Sequence, residues 1–475
     1  MGEPASSGIA AAFALQKAGV ERRRLAFGLA ERRAALSGLR DTVRRREGEI
    51  VAALAADFGK PEPEVILTEI LPVLQDIRHT LRHLRRWMRS RRVGPTLATF
   101  GTASRIQPQA RGTCLIIAPW NYPLNLALGP LVSCLAAGNS AIVKPSEMTP
   151  ATSALIARIV AETFPPDLVT VVEGGRDAAT ELLALPFDHI FFTGSPAVGR
   201  IVMAAAAKNL TSVTLELGGK SPTIIGPGAD LARAAQWVAF GKFANAGQTC
   251  IAPDHLFVHE TVKDAFVTAL RARITAAYGA DPARSRDLAR IVNTHHARRL
   301  RGLLDDAVAK GARLVAGGEG QGGQDGREDT RLAPVLIEAV TPEMEIDAAE
   351  IFGPILPIMA YDDVSDVIAR INARPKPLAL YVFDRDRAFA DRIVAATSSG
   401  GVGVNLTVMH YTHPDLPFGG VNESGIGAAH GEHGFRAFSH ERGIMENRFS
   451  ALPLLFPPYG ERARRLVGLA KRFLG

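Results

Sequence analysis

The segment KFANAGQTCIAPDH places one thiol, Cys250, behind a helix-like stretch and a short polar turn. A thiol becomes a strong nucleophile when its pKa falls, or when a base or a cofactor charge favours the thiolate. Taken alone, a cysteine in such a place is ordinarily a small buried hydrophobe. Upstream, VTLELGGKSPTII sets Glu216 in an apolar strand just before a Gly-Gly turn. A carboxylate there is either paired structurally or kept for proton transfer, and burial would raise its pKa toward the range useful to a general base. The GGKS tetrapeptide is not the end of a phosphate-binding loop, because Thr214 stands where the first glycine is required.

Two further segments could hold a nucleotide. HIFFTGSPAVGRIVM is a strand, a glycine-containing turn and a helix start, so Gly194 and Gly199 would let backbone amides approach a phosphate at a helix N-terminus. Its spacing is neither G-x-G-x-x-G nor a Walker loop, since Arg200 and Ile201 replace the Lys and the hydroxyl. IVKPSEMTP supplies Lys144 and Glu147 at another strand end, a place to grip ribose hydroxyls; a surface Lys and Glu there would otherwise simply be solvated.

The elements that must position these residues follow from periodicity. From about Val20 to Trp87, apolar residues recur at three- and four-residue spacing, which predicts helices broken at Gly59, Pro61 and Pro63. Thr96 to Gln109 reads as extended. Beyond Arg111, short apolar runs (TCLIIAP, SAIVKPS, LVTVVEG, HIFFTGS) alternate with helical stretches. That alternation predicts a doubly wound parallel sheet, which takes ligands beyond the carboxyl ends of its strands. A second alternating block spans about Leu217 to Val404, and Gly317 to Gly326 reads as a flexible loop. From Asn405 the chain reads as loop-rich to about Gly434 and closes in a basic amphipathic helix after Pro457 and Pro458.

Composition narrows the classes. The 475 residues are 47% hydrophobic and 22% charged, the mix of a globular protein with several cores, and suggest about three domains. The excess of 55 basic over 48 acidic residues is mild, concentrated at Arg82 to Arg92 and Arg462 to Arg472, and joined to no nucleic-acid reading module. Three cysteines, none in a C-x-x-C pair, argue against a disulfide framework or zinc site and suit a reducing compartment. The first residues lack the pattern of a signal peptide, and no apolar run reaches the length of a membrane span.

Read together, APWNYPLNLALGP, VKPSE, FTGSPAVG, LELGGKSP, GQTC, EIFGPILP and LPFGG resemble the aldehyde dehydrogenase superfamily in order and approximate spacing. The resemblance extends over nearly the whole chain. GQTCIAPD, FGKPEPEVILTEI and PFGGVNESGIGAAHGEHGFRAFSH resemble its class 3 branch, which includes fatty, aromatic and coniferyl aldehyde dehydrogenases. The one departure, Asn422 in GGVNESG, bears on no catalytic role.

The resemblance implies an α/β fold with a Rossmann-type cofactor domain, an α/β catalytic domain and a small β oligomerisation element. Residues 1–95 and 111–216 would form the first, 217–404 the second, 96–110 and 405–445 the third, and 446–475 an amphipathic tail. It makes Cys250 the nucleophile, Glu216 the general base and Asn121 the side-chain oxyanion donor. Lys144 and Glu147 would hold the adenosine ribose, and Gly194, Ser195 and Gly199 would lie at the cofactor phosphates, with Trp120 also on the cofactor side. Glu350 and Phe352 would position the nicotinamide ribose and ring, while Tyr122 and Phe418 would lie near nicotinamide and substrate.

The activity so implied is NAD(P)-dependent oxidation of medium- or long-chain aliphatic or aromatic aldehydes to acids. It proceeds through a thiohemiacetal and a thioester, with no metal. NAD is the expected cofactor because Glu147 would repel a 2′-phosphate, and NADP is the alternative. A CoA-acylating enzyme would lack the carboxylate at Glu216, and a non-catalytic binding member would have lost Cys250, Glu216 or Asn121. The partners expected are a small aldehyde, a second copy of the chain in a homodimer and no nucleic acid, in the cytoplasm. The stripe Leu466, Val467, Leu469, Ala470, Phe473, Leu474 is expected to pack on the protein body, with an anionic membrane surface as the other reading.

Overall fold

The computed structural model describes residues 8–317, 330–450 and 452–474. The loop expected at Gly317 to Gly326 lies, beyond Gly317, outside the described residues. So does most of the segment read for a signal peptide, residues 1–7.

A helical layer opens the chain. Helices Leu29–Arg45, Glu47–Phe58 and Leu71–Trp87 follow from the apolar spacing. In the last, Val73, Ile77, Thr80, Leu84 and Trp87 form the buried stripe, packed on helix Asn125–Ala137. Gly59 takes a left-handed φ of 63° and ends Glu47–Phe58 with its N–H on Ala55 O at 2.9 Å. Helix Gly8–Ala18 precedes the region whose periodicity was legible. It is rich in alanine and buries little beyond Phe13 and Gln16, so it carries no clear apolar face.

Behind this layer stands a six-stranded sheet in the order Gly425–Ile426, Ser212–Glu216, His189–Thr193, Thr113–Ile117, Ser140–Lys144, Val169–Val171. The last five strands are parallel, and Gly425–Ile426 adds antiparallel at the edge. Parallel strands with helices on both faces have no solvent side. Thr113–Ile117 and Ser140–Lys144 are accordingly buried throughout, as their continuous apolar runs predict. A seven-stranded sheet runs Arg313–Ala316, Val335–Glu338, Ile355–Tyr361, His255–His259, Pro222–Ile225, Ala379–Phe383, Gly401–Val404. It too is parallel, apart from its first strand. A small antiparallel sheet pairs Arg91–Val93, Thr102–Ala110 and Ser439–Asn447.

Two expectations are corrected. Extended structure begins at Thr102 rather than Thr96, because Leu97–Thr99 is a helical turn tied by Thr99 N–H to Thr96 O. The region read as loop-rich to Gly434 contributes strand Gly425–Ile426 and helix Gly431–Ala437. The helix Glu461–Leu474 forms as expected. Val467 is 44% and Leu469 53% exposed, only Ala463 is buried among its hydrophobic residues with described side chains, and its main neighbour is the turn Leu452–Leu455.

Candidate active site

Parallel strands send their following loops to one edge of the sheet. Thr193 and Glu216 therefore end adjacent strands side by side, Lys144 ends a third, and Trp120, Asn121 and Tyr122 follow a fourth. Glu216 is 5% exposed, and neither carboxyl oxygen has a hydrogen-bond partner among the described residues. Its pKa is driven far above the ordinary carboxylate value, by burial alone.

Cys250 arrives from the other sheet's helices. After helix Leu231–Phe243, Asn245, Ala246 and Gly247 all take positive φ, at 55°, 53° and 74°. Two of these are not glycine, and such backbone costs of order 1–3 kcal/mol per residue unless its surroundings hold it. A net of buried amides does so. Asn245 N–H donates to Glu64 Oε2 at 2.9 Å, and Asn245 Nδ2 donates to Asn121 O at 2.9 Å and Gln248 O at 3.1 Å. Gln248 Nε2 donates to Asn245 O and Arg290 O, both at 3.0 Å, while Gln248 Oε1 accepts from Val292 N–H at 2.9 Å. Asn121 Nδ2 donates to Gln248 O at 3.0 Å. One of its two amide hydrogens is thus used to lock the loop. Gly247 is required sterically, since a Cβ there would come within 2.4 Å of Gly353 O.

The thiol itself is partly accessible. Burial, and then the Glu350 and Glu216 carboxylates, push it up to about 12. It opens on a cavity of about 280 Å³ whose walls are chiefly apolar, among them Leu67, Leu126, Phe240, Met409 and Phe418. Glu216 and Tyr122 line the same space. Tyr122 shares a hydrogen bond with Thr249 Oγ1 at 2.6 Å, and the Lys60 ammonium sits 3.9 Å from its ring centre. Phe418 stacks on His430 at 5.3 Å and meets Tyr411 edge-on at 4.9 Å.

Glu350 lies over Gly218, where any Cβ would come within 2.2 Å of its carboxyl. Burial pushes Glu350 up to about 7. Its loop is clamped from below. Lys220 pairs with Asp254 and donates to Ala349 O at 2.8 Å, Asp254 Oδ2 accepts Ile351 N–H at 2.9 Å, and Arg299 holds Glu350 O at 3.2 Å. Phe352, at φ 51°, meets Trp120 edge-on at 5.3 Å.

Lys144 Nζ holds Glu147 Oε2 at 3.0 Å at the same sheet edge. Helix Pro196–Ala207 begins there too, capped by Ser195, whose hydroxyl accepts Val198 N–H at 3.4 Å. The Gly194 N–H is donated to Glu216 O at 3.0 Å and the Gly199 N–H to Ser195 O at 2.9 Å, so an amide reaching a phosphate at this turn would be a neighbour's rather than their own. A Cβ at Gly199 would also come within 2.8 Å of the Leu217 side chain. Sequence reasoning also assigned no role to Asn245, Gln248, Glu64 or Lys220, although polar residues inside the apolar-flanked FANAGQTC were a usable signal.

The site's chain of motifs matches the family model described as aldehyde dehydrogenase family over residues 8–444. The chain belongs to the aldehyde dehydrogenase family. It is 43% identical over 430 residues to the 4,4'-diaponeurosporen-aldehyde dehydrogenase of Staphylococcus aureus, covering 90% of this chain and 92% of that protein. It is 43% identical over 443 residues to aldehyde dehydrogenase family 3 member A2 of Mus musculus, covering 92% and 89%. The solved substrate-bound state of Staphylococcus aureus AldH superposes with a TM-score of 0.91 at 40% identity, covering 98% of this chain and all of that one. The fold and class 3-like branch expected from the motifs are borne out. As an aldehyde dehydrogenase, the chain oxidises aldehydes with NAD or NADP; similar solved structures are an NADP-dependent enzyme of E. coli at 26% identity and an NAD-dependent aldehyde dehydrogenase of Sinorhizobium meliloti at 27%. Its residues fit such a dinucleotide. A twelve-residue helix N-terminus and the Lys144–Glu147 pair share one sheet edge, and the buried Thr193 hydroxyl and Glu216 carboxyl there have no protein partner.

Proposed function

We propose that this aldehyde dehydrogenase releases a free acid, using Cys250 as nucleophile and Glu216 as the base that hydrolyses the thioester. One observation carries the reading: a partly accessible thiol and a carboxyl with both oxygens unpartnered share one mostly apolar cavity. Cys250 Sγ attacks the aldehyde carbon, and the oxygen that gains charge is held by the second Asn121 amide hydrogen and the Cys250 N–H. Such donors contribute roughly 3–4 kcal/mol each. When bound, the nicotinamide supplies a positive charge beside the thiol and the acceptor for the hydride that leaves the substrate carbon. Glu216 then takes a proton from water as that water attacks the thioester carbonyl, and the carboxylate leaves as Cys250 is regenerated. Lys144 and Glu147 would grip the adenosine ribose, Ser195 would lie by the phosphates, and Glu350, Phe352 and Trp120 would frame the nicotinamide end.

Benzaldehyde with NAD tests this: acid and NADH should form in equal amounts without CoA. A requirement for CoA would place the chain among acylating enzymes instead. Glu147 supports NAD over NADP, and a higher kcat/KM with NADP would reverse that preference.

The domains follow the sheets in this reading, with the cofactor on 111–216, the thiol on 217–404, and subunit bridging through 96–110 and 405–445. The open edges of the small antiparallel sheet support a homodimer, to be checked by sedimentation at micromolar concentration. We place the enzyme in the cytoplasm, touching anionic membrane through helix Glu461–Leu474. Exposed Val467 and Leu469 beside Arg464, Arg465 and Arg472 support that contact, and no helix among the described residues is long and apolar enough to cross a membrane. Truncation after Tyr459 should abolish sedimentation with anionic liposomes; unchanged sedimentation would refute it.

A further inference from the structure

Two chemically different groups line the cavity. Cys250, Glu216 and Thr193 are one; the other is Pro72, Gln75 and Asp76, contributed by helix Leu71–Trp87 from the helical layer. Tyr411 is within electrostatic reach of both Cys250 and Asp76. Its hydroxyl accepts from Asn125 Nδ2 at 2.9 Å, and its ring meets His430 at 4.5 Å.

Asp76 is out of place in such walls. It lines the cavity, remains partly accessible, and has no cationic partner among the described residues. Burial pushes its carboxyl up to about 7, opposed only by a hydrogen bond from the Gly431 N–H. That bond gives Asp76 a structural use, steadying the start of helix Gly431–Ala437. It occupies one acceptor position of a group that has about four. Its remaining acceptor positions, open to the cavity, can take a ligand's donor in place of water, and a hydrogen bond to a charged acceptor is among the stronger ones.

We propose that Asp76 is a specificity-determining residue: it accepts a hydrogen bond from a hydroxyl at the end of the substrate remote from the aldehyde. The enzyme then favours apolar aldehydes that carry a distal phenolic or alcoholic hydroxyl. This rests on the reading that the cavity at Cys250 holds the aldehyde. A neutral hydroxyl suits the site better than an ammonium, because the surrounding wall is apolar and would leave a cation poorly solvated.

The test compares kcat/KM for 4-hydroxycinnamaldehyde, cinnamaldehyde and 4-methoxycinnamaldehyde in the full chain and in Asp76→Leu and Asp76→Asn. The wild type should favour the hydroxyl over the methoxy compound about tenfold, the effect of one hydrogen bond to a buried acceptor. Asp76→Leu should bring that ratio close to one. Asp76→Asn, which can still accept from Gly431 and so guards against misfolding of the leucine variant, should lower it partway. A structural role alone would slow all three aldehydes together and leave the ratio unmoved, which would overturn the proposal. So would a wild-type ratio at or below one, or a stronger preference for a 4-aminomethyl compound. Cinnamaldehyde oxidation that survived Cys250→Ser would instead overturn the reading of the cavity, and this proposal with it.

Discussion

Glu69 and Glu216 are both glutamates shut away from water, and their surroundings could hardly differ more. Glu69 is fully buried, with Oε1 on Lys60 Nζ at 2.8 Å and Oε2 accepting Asn125 N–H at 2.9 Å. Glu216 is nearly as buried and accepts nothing. Burial raises both carboxyls, but Lys60 and the backbone amides pull Glu69 back, and nothing pulls back Glu216. A buried acid with all its partners is tied into the architecture; one without them keeps both oxygens free. The same contrast separates the cage of amides around Asn245 from the open cavity it frames.

That contrast can be broken experimentally. Cys250→Ser should lower kcat by roughly 10⁴-fold or more, as loss of a nucleophile does, measured as NADH formation at saturating aldehyde. Glu216→Gln should cost about 10²–10⁴-fold in steady-state turnover, the range for losing a general base. A first-turnover burst of NADH should survive in that variant, and its absence would move Glu216 to an earlier step. Asn121→Ala should cost about 10²–10³-fold, as loss of one oxyanion donor does. A smaller effect would mean that Asn121 serves only the loop.

Lys60→Met or Glu69→Leu alone should destabilise the fold by about 3–5 kcal/mol, because each strands a buried charge. The double variant should be less damaging than the sum, by denaturant unfolding. Glu216→Leu, which removes a group with no partner, should cost no stability; loss there would erase the distinction between the two acids. The smallest effect concerns pH. With the thiol held up to about 12, alkylation of the cofactor-free enzyme by iodoacetamide should keep rising beyond pH 9 as thiolate appears. Glu350→Gln removes the larger of the two carboxylate influences, so its profile should shift toward lower pH.

Much of this was readable from the chain alone, for identifiable reasons. Buried parallel strands announce themselves as apolar runs, so Thr113–Ile117, Ser140–Lys144 and His189–Thr193 were legible. The thiol and its carboxylate were legible through their motifs, and the structure brings both to one cavity. Strand Ser439–Asn447 was not, because it is largely exposed and shows no alternation of apolar residues. What the tail helix meets was not legible, because an amphipathic pattern shows that a face is apolar, not what covers it. The purpose of Gly199 was not legible either: absence of a side chain does not reveal whether space is needed for a ligand or for Leu217.

Strand Gly425–Ile426 closes the edge of the six-stranded sheet with Gly425 directly opposite Glu216. The acid's strand therefore acquires its outer neighbour from a segment made long after it. A nascent or prematurely stopped chain could assemble the five parallel strands, yet would hold this carboxylate on a raw, unprotected margin. Synthesis of that late segment and enclosure of Glu216 are thus tied together by topology.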